Sequence, residues 1–204
     1  MHDGWSMIGS DIDDISLHWA RENVKLNSLQ DRIEILPVRA DKPILQPLLA
    51  YPESQYSPRP LCPTSTHRPP RFDFLMCNPP FYSSAEEVAD LAGMKELDPS
   101  GVCTGSDNEM ITPGGEVGFV GRMVRESTRV GRRCRWYTSL LGKLSSVKEV
   151  IELIRSPEVN IDNYAIGEIT QGRTRRLAIA WSFGDARLPD AVGRPTAAAL
   201  KSFV

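Results

Sequence analysis

None of the four cysteines (Cys62, Cys77, Cys103, Cys134) forms a Cys-x-x-Cys pair, and with only three histidines the chain offers no metal-ligand spacing. This argues against a zinc module. Four scattered thiols in 204 residues also argue against a disulfide framework. No apolar run approaches the roughly 20 residues that a membrane-spanning helix needs. The opening Met1-His2-Asp3-Gly4-Trp5 has neither the basic nor the apolar region of a secretory signal. Internal repeats are lacking as well. These absences predict an intracellular protein, nuclear or cytoplasmic, with no metal and no membrane association.

What is present is enough apolar material, 41% of the residues, for a sizeable core. The net charge of -2 conceals an uneven distribution. Residues 1–118 hold nine Lys/Arg against eighteen Asp/Glu, whereas residues 119–176 hold twelve against six. A basic second half behind an acidic first half is weak evidence for a surface that faces a polyanion.

Hydrophobic periodicity predicts alternating strands and helices. Residues 5–10 read as a short buried strand ending in the acidic Asp11-Ile12-Asp13-Asp14. A helix follows with Ile15, Trp19, Val24 and Leu26 among its apolar positions. Residues 32–38 alternate like a strand. Residues 52–70 are rich in proline and hydroxyl residues and read as a disordered insertion, preceded by a short helix. Residues 72–77 form a strand that runs directly into Asn78-Pro79-Pro80-Phe81. Beyond an irregular stretch over residues 84–113, a helix begins at Gly114-Gly115-Glu116. On it Phe119, Val120, Met123, Val124, Ser127 and Val130 share one face, and Arg122, Arg125, Arg129, Arg132 and Arg133 the opposite one. A strand over residues 134–141, a helix over 147–154 and a closing strand pair over 163–170 and 177–183 complete an α/β sheet with an antiparallel end.

Asn78-Pro79-Pro80-Phe81 follows the carboxyl end of a strand, where open α/β sheets bind ligands. An exocyclic amine on an aromatic ring is a poor nucleophile because its lone pair is delocalised. Two acceptors gripping its N–H bonds turn that lone pair toward an incoming methyl group, and the Asn78 side-chain oxygen and the Pro79 carbonyl are suited to this. The prolines restrict the backbone and carry no competing N–H. Phe81 can stack on a flipped-out base. Methyl transfer from a sulfonium is then largely a matter of alignment and calls for no metal. The competing interpretation is an ordinary strand-terminating turn.

Other candidates have two readings each. Asp11 can accept hydrogen bonds from the hydroxyls of a nucleoside cofactor's ribose, or can belong to a solvated helix start with Asp13 and Asp14. The stripe containing Arg122, Arg125 and Arg129 is either solvated surface or a row of RNA phosphate contacts. Gln171-Gly172-Arg173-Thr174-Arg175-Arg176 is either a basic turn facing the same ligand through Arg173, Arg175 and Arg176, or only a hairpin loop.

Several blocks, taken in order, resemble the RNA adenine-N6 methyltransferase family that joins the bacterial ribosomal large-subunit RNA methyltransferase F to the eukaryotic methyltransferase-like sixteen proteins. They are residues 9–13, 74–81, 114–120 and 135–143, then 171–176 with Ala180-Trp181-Ser182-Phe183. The resemblance implies a Rossmann-like class I methyltransferase sheet with an antiparallel C-terminal hairpin. It also implies S-adenosylmethionine as methyl donor and structured RNA as partner. Asp11 takes the position of the ribose-binding acid. Asn78 to Phe81 take that of the catalytic loop, with Asn78 also near the cofactor.

Family members carry, upstream of the Asp11 strand, a first strand with an Asp-x-Gly-x-Gly turn. The expectation is therefore one methyltransferase domain over residues 1–204, N-terminally truncated and missing that strand. Its expected function is N6-methylation of an adenosine in ribosomal or spliceosomal small nuclear RNA. Two alternatives are methylation of a protein glutamine amide, which uses a similar Asn-Pro-Pro loop, and an inactive RNA-binding fragment.

Overall fold

The computed structural model describes residues 4–50, 71–87, 110–171 and 174–189. The expected insertion over residues 52–70 lies outside them, as does Arg173. The chain divides into two compact units, Met1–Pro70 and Arg71–Val204.

In the first unit the order is β1 (Met7–Asp11), α1 (Asp14–Leu26), β2 (Ile33–Pro37) and α2 (Gln46–Ala50). β1 and β2 pair in parallel from Met7↔Ile33 to Asp11↔Pro37. A parallel pair needs a crossover, and α1 supplies it. Asp13 starts that helix, its carboxylate accepting from the Ser16 amide at 2.7 Å, while Asp14 and Lys25 lie at the ends the helix dipole favours. Leu17 is buried and Ala20 and Val24 are half-buried, whereas Ile15, Trp19 and Leu26 are exposed. Three of the four apolar positions marked on this helix therefore face outward. The i, i+3, i+7 spacing of 17, 20 and 24 defines the inner side instead.

The second unit contains β3 (Phe72–Cys77), α3 (Gly115–Val130), a 3₁₀ turn (Gly131–Arg133), β4 (Cys134–Leu141), α4 (Leu144–Arg155), β5 (Tyr164–Gln171) and β6 (Thr174–Trp181). Its sheet has the order β3-β4-β6-β5, parallel between β3 and β4 and antiparallel elsewhere. This is the expected α/β architecture with an antiparallel C-terminal hairpin. Along α3, Val120, Met123, Val124, Ser127 and Val130 are buried and Phe119 half-buried, with Arg122, Arg125 and Arg129 outside.

The core centres on Tyr137 and Trp181, whose rings stack at 5.7 Å. Their polar atoms are satisfied. The Trp181 indole donates to Ser127 Oγ at 3.0 Å, Ser127 Oγ donates to the Val124 carbonyl, and Tyr137 donates to the Gly131 carbonyl at 2.7 Å. A serine on the apolar face of α3 is thus the acceptor that lets a tryptophan be buried. Burial pushes the Tyr137 phenol well above its ordinary range. No helix among the described residues is long and apolar enough to cross a membrane.

Candidate active site

β3 and β4 run parallel and in step, with Cys77 opposite Ser139, so the segments leaving both strands emerge at one end of the sheet. Thr138 Oγ1 donates to the Leu75 carbonyl at 2.7 Å and fastens β3 to β4 just before that end. Burial pushes the Cys77 thiol up to about 11, so the residue preceding the loop stays neutral.

In the loop Asn78 is exposed, Pro79 is buried, and Pro80 and Phe81 are half-buried. Phe81 has two close neighbours. A methyl group at Gly142 would lie 3.5 Å from its Cδ1, so this glycine allows the turn after β4 to approach the ring. On β6, the Arg176 guanidinium sits 4.9 Å from the ring centroid. Arg176, proposed from sequence only as an RNA contact, therefore belongs to the surroundings of Phe81.

The chain beyond Phe81 is tied down. Tyr82 donates its amide to the Met110 carbonyl and accepts from the Thr112 amide, both at 2.9 Å. Gly115, at φ +58, has Phe81 O and Ser83 N each 3.5 Å from where a Cβ would stand. The left-handed conformation favours glycine here, while a Cβ at that distance would be in ordinary van der Waals contact.

Three further residues hold this end of the sheet. Glu116 is buried, and its carboxylate accepts from the Gly142 amide at 2.6 Å and the Lys143 amide at 3.1 Å, fixing the β4–α4 turn. Lys143 Nζ donates to Glu87 at 2.6 Å, and Glu87 in turn accepts from the Ser83 amide and hydroxyl. Sequence reasoning passed over all three. Glu116 was marked only as a helix opening, yet a carboxylate at the first turn beside two glycines is a signal for a bound amide pair. Ser84-Ala85-Glu86-Glu87 has the Ser-x-x-Glu form of a helix-capping box.

The other candidates are distributed as follows. Asp11, in the first unit, is half-exposed at the end of β1, and its Oδ1 accepts from the Asp13 amide at 2.9 Å. Arg122, Arg125 and Arg129 are exposed on α3, but Arg125 is paired with Glu158 at 3.0 Å. Arg175 pairs with Glu168 at 3.4 Å. Among the described residues no group of three or more His, Cys, Asp or Glu side chains is placed to hold a metal ion.

Comparison with known proteins adds an independent line. A family profile described as RNA methyltransferase matches residues 1–185. The U6 small nuclear RNA (adenine-(43)-N(6))-methyltransferase of Schizosaccharomyces pombe is 36% identical over 98% of this chain and 46% of its own length. Ribosomal RNA large subunit methyltransferase F of Pectobacterium atrosepticum is 27% identical over 89% of this chain and 55% of its own. The chain thus spans about half the length of these relatives. Among solved structures, the hMettl16 catalytic domain in complex with a MAT2A 3'UTR hairpin superposes with a TM-score of 0.73, at 29% identity over 95% of this chain and 60% of that one. The N-terminal domain of human METTL16 in complex with SAH gives a TM-score of 0.59 at 28% identity, over 90% and 54%.

Proposed function

The chain belongs to this family of RNA methyltransferases, and on that premise we propose that it transfers a methyl group from S-adenosylmethionine to the N6 amine of an adenosine in a structured RNA, ribosomal or spliceosomal. One observation carries the reading. The Asn-Pro-Pro-Phe loop leaves β3 with its asparagine exposed and its phenylalanine under the Arg176 guanidinium, in a chain whose relatives are named as RNA methyltransferases.

S-adenosylmethionine would supply an electrophilic methyl group on a sulfonium. Asp11 suits its ribose, because one carboxylate oxygen is engaged by the Asp13 amide and the other remains to accept from hydroxyls. The Asn78 oxygen and the Pro79 carbonyl would each accept one N–H of the adenine amine. As the new C–N bond forms, positive charge grows on that nitrogen and both acceptors bind it more strongly, which lowers the barrier. Phe81 offers the base an aromatic face. Arg122, Arg125, Arg129, Arg173, Arg175 and Arg176 are the candidates for the RNA backbone. On the same reading residues 1–204 act as one methyltransferase domain inside the cell, in whichever compartment holds the RNA.

The test is Asn78→Ala assayed with an RNA hairpin. The expected outcome is a fall in kcat of about 100- to 1000-fold, as for loss of one oxyanion-type acceptor or donor, with RNA affinity nearly unchanged. Parallel loss of RNA binding, or full turnover, contradicts the assigned role. If the unaltered chain methylates no structured RNA, the reading itself falls.

A further inference from the structure

The Ser83–Glu87–Lys143 chain of contacts has no role in the chemistry described above, yet it ends on the residue two places after Phe81. Both Glu87 oxygens are engaged. Oε2 accepts from the Ser83 amide at 2.8 Å and its hydroxyl at 2.7 Å, and Oε1 accepts from Lys143 Nζ at 2.6 Å. The Glu87 amide donates to Ser84 Oγ at 3.2 Å, which completes a local cap. A cap alone would need nothing more.

Lys143 comes from 56 positions away, at the turn after β4. That turn is in turn fixed by the buried carboxylate of Glu116 through the Gly142 and Lys143 amides. A Cβ at Gly142 would stand 3.5 Å from Phe81 Cδ1, so the same turn passes close to the ring. One turn therefore runs beside the loop's aromatic tip and holds its exit through Lys143 acting on Glu87.

We propose that Glu87 and Lys143 are positioning residues that clasp the Asn78–Phe81 loop to the β4–α4 turn and so set the alignment of its amine-gripping acceptors. The alignment argument rests on the methyl-transfer reading; the clasp itself does not. A displacement of about 1 Å at a reacting centre can cost 100-fold in rate, so a charge pair outside the site has leverage on turnover. The pair also suits the task. Lys143 holds the Glu87 carboxyl down at about 2, the Ser83 donors adding to the effect, so the clasp stays ionised across the neutral range.

The experiment uses the full chain and two readouts. Lys143→Met removes the ammonium and leaves the local cap intact. The expected results are amide exchange at Tyr82 and Ser83 about five- to tenfold faster, as for loss of one supporting hydrogen bond, and kcat about 10- to 100-fold lower with RNA affinity and melting temperature unchanged. Lys143→Arg should restore both. Glu87→Gln serves as the second variant and should move the same two readouts if Lys143→Met fails to fold. Combined with Lys143→Met it should add little, because each change breaks the same link. Unchanged exchange in both single variants overturns the clasp. Faster exchange at undiminished kcat overturns its positioning role. Should the unaltered chain prove inactive, the methyl-transfer reading fails while the exchange result still decides the clasp.

Discussion

Residues 4–50 and the described residues of 71–189 differ in how much of an apolar core they have, although both leave some large apolar side chains outside. In the second unit Tyr137 and Trp181 are the largest fully buried side chains, and both are hydrogen-bonded. In the first, Trp5 and Trp19 are 51% and 61% exposed, joined outside by Met7, Ile12, Ile15 and Leu26. Among the described residues of this unit only Leu17, Leu45 and Leu48 are buried hydrophobic residues, and its sheet has two strands. Two strands with one 13-residue helix and one 5-residue helix bury less surface than four strands with helices of 16 and 12 residues. The second unit, which bears the Asn78–Phe81 loop, is thus the part with a self-sufficient core. The first unit, which bears Asp11, has the weaker hold on its own fold.

The largest test of this contrast is a pair of tryptophan truncations. Trp181→Ala should cost about 3–5 kcal/mol in chemical denaturation, as for other deletions of buried aromatics. Trp19→Ala should change stability by no more than about 0.5 kcal/mol, since an exposed side chain has little packing to lose. Comparable losses in the two variants would erase the distinction between the units.

Charge extends the comparison, because the exposed face of α3 is basic while the first unit is nearly balanced, with seven Lys/Arg against nine Asp/Glu over residues 1–70. Changing Arg122, Arg125 and Arg129 together to Gln should lower the log–log salt slope of RNA binding by about 2 to 3. The Arg125–Glu158 pair does not preclude this, since an exposed ion pair is worth only about 0–1 kcal/mol and yields to a phosphate. A slope that stays the same in salt titrations assigns the stripe to solvated surface and moves the RNA contact to Arg175 and Arg176.

The smallest expected effect concerns pH. Glu87 has its folded pKa lowered to about 2 from an ordinary value of 4.5. Its contribution is therefore complete above about 4.5 and is lost only as pH falls through about 2. The charged groups around it do not alter this, because Lys143 is itself raised, chiefly by its hydrogen bond to Glu87, with Glu116 and Tyr82 adding. Protection of the Ser83 amide, corrected for intrinsic exchange, should be flat between pH 5 and 8. A step within that window would show that another group controls the loop.

Much of this was legible in the sequence because it is local. The 72–77 strand matches β3 residue for residue, and the apolar face of α3 was marked down to Ser127. The outward turn of Trp19 and Leu26 was not legible, since a helix with apolar residues on more than one side does not announce which side has a neighbour. The neighbours of Phe81 were hidden for a different reason. Gly142, Arg176 and Lys143 meet the loop only because β4 and β6 are laid beside β3, a juxtaposition no short-range pattern encodes. The residues proposed to meet the base or cofactor were suggested by their chemistry, whereas those packed around them depend on topology.

The order of the sheet also implies an order of assembly. β5 and β6 pair as far as Gln171 opposite Thr174, only three positions apart in sequence, so their zipper closes with a small loss of chain entropy. Joining β3 to β4 instead links positions as far apart as the 63 between Leu75 and Thr138. Long-range parallel pairing is slow because loop closure must precede its reward. The hairpin and β4 thus form the template on which β3 is laid, and the Asn78–Phe81 loop takes its shape only when that last strand has docked. A newly made chain would acquire the Asn78–Phe81 loop late, after the segment bearing Lys143 and Arg176 has left the ribosome.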